Sequence, residues 1–254
     1  MGELSLLSLR DFPLIEPGDD LARIISAVCQ KNSILLQNDD VLVLAQKIVS
    51  KAENRYADLN EITPSEEAFD LAQKTGKDPR HVELVLSQSR RVVRYRPGVI
   101  IVEHKLGFVH ANAGIDHSNI KQHDGKELLL LLPEDPDKSA RVLRENIKRH
   151  LGVTPRIIIN DSFGRAWRHG TCGIAIGCAG FAPLNDLRGK TDLFGNILEI
   201  TQVGIADEIA AAASLLMGQA AEGSPVVVVR GLHLAETEDN CQMLIRSADE
   251  DLFR

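Results

Sequence analysis

Three short, unbroken apolar runs constrain this chain most: Val41-Leu42-Val43-Leu44-Ala45, Ile157-Ile158-Ile159 after Arg156, and Val226-Val227-Val228-Val229 after Pro225. Runs of this length with no polar alternation read as strands buried in a core. Around them the spacing turns helical. Asp19 to Gln30 carries Leu21, Ile24, Ile25 and Val28 behind an Asp-Asp start that suits an N-cap. Thr63-Pro64-Ser65-Glu66-Glu67 opens a second helix with Pro64 near its first turn, and His81 to Gln88 forms another. Lys138 to His150 is a basic amphipathic helix, and Ala206 to Gly218 an Ala-rich one ended by its glycine.

Between Arg90 and Asn112 two β-rich runs, Val99-Ile100-Ile101-Val102 and Gly107-Phe108-Val109-His110, flank His104-Lys105-Leu106, a length that suits a hairpin. Leu128 to Leu132 is a further apolar run ended by Pro133, and Gly164 to Gly195 reads as loop and strand. Strands and helices mix without a strict βαβ alternation, which predicts an α+β fold rather than a doubly wound sheet. With no repeat, low-complexity tract or long linker, residues 1–254 read as a single catalytic unit, at most two closely joined lobes.

A formal charge of −7 excludes a global positive field for nucleic acid or an anionic membrane, so any basic site must be local. No apolar run reaches the roughly 20 residues a membrane span needs, and Met1 to Phe12 lacks the basic and apolar regions of a secretory signal. Cys29, Cys172, Cys178 and Cys241 show no zinc or redox spacing and read as reduced, mostly buried thiols. These features predict a cytoplasmic protein.

Neither the phosphate-loop motif nor the dinucleotide fingerprint occurs. Polar residues gather instead at the ends of apolar strands. Ala111-Asn112-Ala113-Gly114-Ile115-Asp116-His117-Ser118-Asn119 offers small residues for close backbone approach, Asp116 as a hard ligand for Mg²⁺ or Mn²⁺, and Asn119 for a phosphate or ribose. The same stretch also reads as plain turn chemistry. Asn160-Asp161-Ser162-Phe163-Gly164-Arg165 places a carboxylate and a hydroxyl at a strand end, with Arg165, Arg168 and His169 following for an anionic substrate; an Asx-turn with solvated arginines is the alternative. Lys47 and Lys51 share a face if their segment is helical, and could reach phosphates or be ordinary surface lysines. Gln202 follows Thr201 just ahead of Asp207 and Glu208, which suit a helix's first turn. His104, His110, His117 and His123 lie close in sequence, but their irregular spacing argues against zinc.

Taken together, these segments resemble the coenzyme F420-0:L-glutamate ligase family. The similarity runs from about Phe12 onward, through Pro13-Leu14-Ile15-Glu16-Pro17-Gly18-Asp19-Asp20, Asp39 to Leu44, and Ile48-Val49-Ser50-Lys51-Ala52-Glu53. Its most specific pieces are Asn112 to Asn119 and Asp161-Ser162-Phe163-Gly164-Arg165, completed by Ala206 to Ala212 and Val228-Val229-Arg230-Gly231. The resemblance implies a GTP-dependent ligase that needs Mg²⁺ or Mn²⁺, often with K⁺, and joins L-glutamate to F420-0 by γ-linked amide bonds through an acyl phosphate. It implies an α+β fold of mixed sheets with flanking helices, assembled as an intimately packed homodimer.

Carried over residue by residue, it places Asp116, Asp161, Ser162 and Gln202 at the divalent metal. Pro13, Leu14, Ile15, Glu16, Gln46, Lys47, Lys51, Asn119 and Gln202 fall along the nucleotide, with Asp116, Asp161 and Lys51 the catalytic set. The chain departs from the family at Ala45-Gln46, where Ser or Thr is usual before Lys47, and at Asn54, where Gly is usual. The flavin-binding, reductase-like C-terminal domain of some relatives is not expected here. A related amide ligase with another carboxylate acceptor, and a non-catalytic ligand-binding protein, are the competing readings.

Overall fold

The computed structural model describes residues 2–122 and 125–251; His123 lies outside them. In chain order the strands and helices are β1 (Ser5–Ser8), α1 (Leu21–Lys31), β2 (Val41–Ala45), α2 (Gln46–Ala52), β3 (Tyr56–Asp58), α3 (Glu66–Thr75), α4 (Pro79–Ser87), β4 (Ser89–Arg96), β5 (Val99–His104) and β6 (Val109–Ala111). They continue with β7 (Leu128–Leu130), α5 (Pro136–Leu151), β8 (Arg156–Arg165), β9 (Arg168–Ala179), β10 (Asn185–Asp186), β11 (Gln202–Val203), α6 (Ile205–Met217) and β12 (Val226–Arg230). The fold is a mixed α+β arrangement of several sheets with flanking helices.

The three apolar runs are the middle of one sheet, ordered β1-β12-β2-β8-β9. Their lack of alternation has a direct cause. Leu42, Leu44, Ile157, Ile159, Val226 and Val228 pack on one face with α1 and α5, while Val41, Val43, Ile158, Val227 and Val229 pack on the other with α6. Both faces are dry, so every position is apolar; each such side chain contributes about 1.5–3 kcal/mol on burial. The β2–β8 pair is parallel and the other pairs in this sheet are antiparallel.

A second, three-stranded sheet, β4-β5-β6, packs with α3 and α4 around Ile100, Val102, Leu71 and Val85. The expected hairpin is the β5–β6 pair, with Glu103 opposite Val109. Strand β4 carries no clear sequence signal, because Arg90, Arg91, Arg94 and Arg96 crowd it and two register shifts break its alternation. A short β3–β7 pair is extended by a bridge in which Asp116 and Leu130 exchange both backbone hydrogen bonds at 2.9 Å.

Caps set the helix starts. The Asp20 carboxylate accepts from the amides of Ala22 and Arg23, so α1 begins one turn position behind the Asp-Asp pair. Pro64 stands outside α3 rather than in its first turn, because the Ser65 hydroxyl takes the Ala68 amide as N-cap while Ser65 itself is tied to Glu83. Helix α4 starts at Pro79 behind Asp78, two residues ahead of the sequence expectation. Asp161 and Ser162 sit inside β8, not at a strand terminus, since β8 runs on to Arg165 and turns directly into β9.

Residues 187–201 form an extended arm between β10 and β11. Its backbone is paired by hydrogen bonds such as Leu187 to Thr201 and Gly189 to Leu198, and its Leu193 and Phe194 side chains are 99% and 90% exposed. Among the described residues no helix is long and apolar enough to cross a membrane.

Candidate active site

Parallel pairing of β2 and β8 sets Ala45 opposite Asn160, so α2 leaves the sheet beside the point where β8 runs on past its partner with Asp161 and Ser162. Ligands of α/β sheets gather at such carboxyl ends. Here Gln46 and Lys47 open α2 beside Asn160, Asp161 and Ser162. A cavity of about 570 Å³ lies over them, walled on one side by Phe12 to Ile15 and on the other by Met217 to Pro225.

Pro13, Leu14, Ile15, Gln46, Lys47, Lys51, Asn119, Asp161 and Ser162 all line this cavity, so the structure gathers most of the residues expected from sequence. Lys47 and Lys51 stand one helical turn apart on α2. Lys51 Nζ donates to the Asn119 carbonyl at 2.7 Å, and the Asn119 side chain donates to the Ala220 carbonyl at 3.0 Å. Burial pushes the Lys51 ammonium below its usual pKa, and neighbouring Lys47 adds to the shift. Two cations facing one cavity suit a polyanion.

Asp116, on the segment after β6, is absent from the cavity lining and stands behind it, against Gln46 and Lys47. Its Oδ2 accepts from Gln46 Nε2 at 2.6 Å, and its Oδ1 lies 3.2 Å from Lys47 Nζ. Burial raises the Asp116 pKa; Lys47 opposes this, and the charge of Asp161 raises it further. The two carboxylates therefore feel one another. Asp161 Oδ2 in turn lies 3.2 Å from His110 Nε2, whose ring stands edge-on to Phe163 with centroids 4.0 Å apart. A pair of partly buried, mutually repelling acids beside two lysines fits a hard divalent cation bound through oxygen.

Other expected residues stand differently. Ser162 alternates with Asp161 along β8 and turns its hydroxyl to Gln219 Oε1 at 3.0 Å. Glu16 is absent from the cavity lining, though its charge reaches Lys51. Gln202 lies outside the cavity, on β11, where its amide donates to Asp186 at 3.4 Å. Arg165 and Arg168 face each other at the exposed β8–β9 turn, with Arg165 bonded to the His169 carbonyl. The small residues before Asp116 serve packing rather than a ligand: a Cβ on Gly114, at φ +65°, would come within 2.9 Å of Leu132.

Sequence reasoning missed His110, Ser50 and Gln219. The closeness of His110 to other histidines in sequence suggests only a zinc ligand, and its place in the middle of β6, two residues before Asn112, is the one local signal for its contact with Asp161. Among the described residues, one group of three metal-capable side chains converges within 4.8 Å: Asp137, Cys178 and Cys241, all buried. One oxygen of Asp137 already accepts the amides of Cys178 and Cys241, at 2.8 and 3.0 Å, so it ties β9 to the C-terminal segment. All four cysteines are free thiols. A second cavity, of about 720 Å³ between α1 and α5, is lined by Asp20, Glu53, Glu134 and Asp135 among others and holds none of the expected site residues.

Comparison with known proteins bears on this geometry. A sequence model of the family described as F420-0:Gamma-glutamyl ligase matches residues 10–231. The chain is 43% identical over 254 residues to the coenzyme F420:L-glutamate ligase of Methanothermobacter thermautotrophicus, covering 99% of both chains. It is 44% identical over 261 residues to the protein of that name from Methanopyrus kandleri, covering both completely. Against the one from Methanosarcina mazei it is 45% identical over 249 residues, covering 98% of this chain and 94% of the other. With a family match across most of its length and full-length relatives above 40% identity, this chain belongs to the F420-0:gamma-glutamyl ligase family.

Proposed function

We propose that this chain is a cytoplasmic ligase that uses GTP and a divalent cation to add L-glutamate, through γ-linked amide bonds, to coenzyme F420-0. The observation that carries this reading is one cavity lined by Lys47, Lys51, Asp161 and Ser162, with Asp116 behind it, held between Gln46 and Lys47. Relatives at 43–45% identity are named for that ligation, which supports the acceptor and the amino acid.

The chemistry follows from the acceptor. A carboxylate has no leaving group and its charge repels an amine. Transfer of the γ-phosphoryl of GTP to a carboxylate oxygen releases GDP and leaves an acyl phosphate. The glutamate amine then attacks the acyl carbon, the C–O bond to phosphate breaks, and the ammonium proton is lost as the amide forms. Such transfers ask the protein for alignment and charge neutralisation more than for covalent help.

Lys47 and Lys51 bind the phosphates as point charges, and Phe12 to Ile15 and Met217 to Pro225 form the walls that exclude water around them. Asp116 and Asp161 would hold Mg²⁺ or Mn²⁺, with Ser162 as a neutral oxygen donor; the family resemblance adds Gln202, which in this chain lies on β11 outside the cavity. The cation, when bound, neutralises phosphate charge developing in the transfer. K⁺ would add to that neutralisation. The exposed Leu193, Phe194, Ile197 and Ile200 make the arm an apolar surface suited to a second copy, and a homodimer would bury it. Residues 1–254 act as one catalytic unit in this reading.

The test is a ligation assay with purified protein, F420-0, L-glutamate, Mn²⁺ and GTP or ATP, read by mass spectrometry. A gain of one or more glutamyl units with GTP is expected. Metal-dependent nucleotide binding without any mass gain would instead indicate an amide ligase with another carboxylate acceptor.

A further inference from the structure

The Gln46 side chain commits both ends of its amide to protein partners. It is 2% exposed, at the first position of α2, and its Nε2 donates to Asp116 Oδ2 at 2.6 Å. One turn later Ser50, also fully buried, donates its hydroxyl to Gln46 Oε1 at 2.8 Å. We propose that Gln46, braced by Ser50, is a positioning residue that holds the Asp116 carboxylate from its buried side and leaves Oδ1 to Lys47, which itself lines the cavity. The proposal rests on the reading of Asp116 as a cation ligand.

The donor pattern allows one arrangement. An ionised carboxylate only accepts, so the amide must turn its nitrogen to Asp116, and its oxygen then faces Ser50, which can donate. Both ends of the amide are satisfied, and the Gln46 rotamer is fixed without help from solvent. Oδ2 is thereby committed to a buried neutral donor. Oδ1 faces Lys47, a partly exposed cation that lines the cavity and can exchange places with an incoming one. Backbone bonding of Asp116 to Leu130 fixes the other end of the same residue. Partners of this kind set the orientation of metal ligands, and losing them costs about 10–100-fold in metal affinity or activity.

The experiment measures Mn²⁺ affinity, from the electron paramagnetic resonance signal of the free ion, for wild type, Q46M, S50A and the double variant Q46M/S50A. GTP affinity without metal and Tm are recorded alongside. Methionine keeps the volume of glutamine and removes the donor. Q46M is expected to bind Mn²⁺ about tenfold more weakly with metal-free GTP affinity unchanged. S50A weakens Mn²⁺ binding less, and adds nothing in the Q46M background, because Ser50 acts only through Gln46.

A purely packing role would lower Tm and leave Mn²⁺ affinity untouched, which would overturn the proposal. So would weaker GTP binding in Q46M with unchanged Mn²⁺ affinity, the signature of a nucleotide contact. D116N separates the two levels of the argument: if D116N binds Mn²⁺ like wild type, the cation reading of Asp116 itself falls, and Gln46's role falls with it.

Discussion

Lys47 Nζ stands 3.2 Å from Asp116 Oδ1 and 2.9 Å from Ser118 Oγ, so a lysine that lines the cavity is paired with one oxygen of a proposed metal ligand. One side chain thus serves two opposed purposes, neutralising Asp116 when no cation is present and attracting phosphate when GTP arrives. K47M should separate them. Loss of the competing charge should tighten Mn²⁺ binding several-fold, while loss of a charge-assisted phosphate contact, about 1.5–3 kcal/mol, should weaken GTP binding at least tenfold. Titrations of the metal alone and of GTP alone check this; both affinities moving the same way would refute it.

Asp116 and Asp161 carry the metal role in the proposed function. D116N and D161N should each lower turnover by about a hundredfold or more, because several kcal/mol of charge stabilisation is lost at the phosphoryl group. Circular dichroism and Tm near wild type would show the fold intact. A folded variant with near-normal rate would remove that residue from the site.

His104 predicts an acid limit on stability. Its ring is buried, stacks on Phe108 at 5.2 Å, and accepts the Leu106 amide at Nδ1, so the folded protein holds it neutral. Burial, with His110 adding to it, depresses its pKa from 6.5 to about 4. The unfolded chain therefore binds the proton first as pH falls. Stability is full above pH 6.5 and is lost on the way down to pH 4, by on the order of 3 kcal/mol from this group. Denaturant melts across that window should show the loss in wild type. In H104N, whose carbonyl can accept the same amide, this part of the pH dependence should disappear.

Gly177 marks the closest approach of β9 to α5. A Cβ there would lie 2.4 Å from the Pro136 carbonyl carbon, a backbone atom that cannot step aside. G177A should therefore cost about 1–3 kcal/mol and lower Tm by about 3–10 °C, read by calorimetry. Wild-type Tm would mean that the helix shifts at no cost.

The arm gives an assembly prediction. L193D with F194D replaces two almost fully exposed apolar side chains by charges, which a monomer tolerates and a buried interface does not. Sedimentation should show a dimer for wild type and a shift toward monomer for the double variant. A monomeric wild type would remove the dimer from the proposed function.

The fold was legible where one physical signal dominated. Val41 to Ala45 and Val226 to Val229 announce a sheet covered on both faces, and Asp20 announces a helix start, because burial and capping act on neighbouring residues; the cap at Asp135 was not legible, and α5 starts two residues ahead of Lys138. Strand β4 was not legible, since its arginines and bulges erase the alternation. The site followed the same division. Lys47, Lys51 and Asp161 could be singled out by their place after apolar runs, and the cavity gathers them. The contacts of Gln46 with Asp116 and of His110 with Asp161 join distant segments, and no local pattern encodes a pairing of that kind. Gln202 stands out only weakly from its local sequence and takes its metal role from the family resemblance, and within one chain it pairs with Asp186.

The register that sets Ala45 against Asn160 has a kinetic meaning as well. Two neighbouring parallel strands are joined here by the whole excursion of residues 46–155, and that excursion itself delivers Asp116 and His110. Closing so long a loop comes late in folding, after local helices and hairpins have formed. Until β8 docks beside β2, Asp161 has neither His110 nor Asp116 for company. With Asp116 and Asp161 as the proposed cation ligands, gain of Mn²⁺ affinity during refolding would time the final docking step rather than collapse.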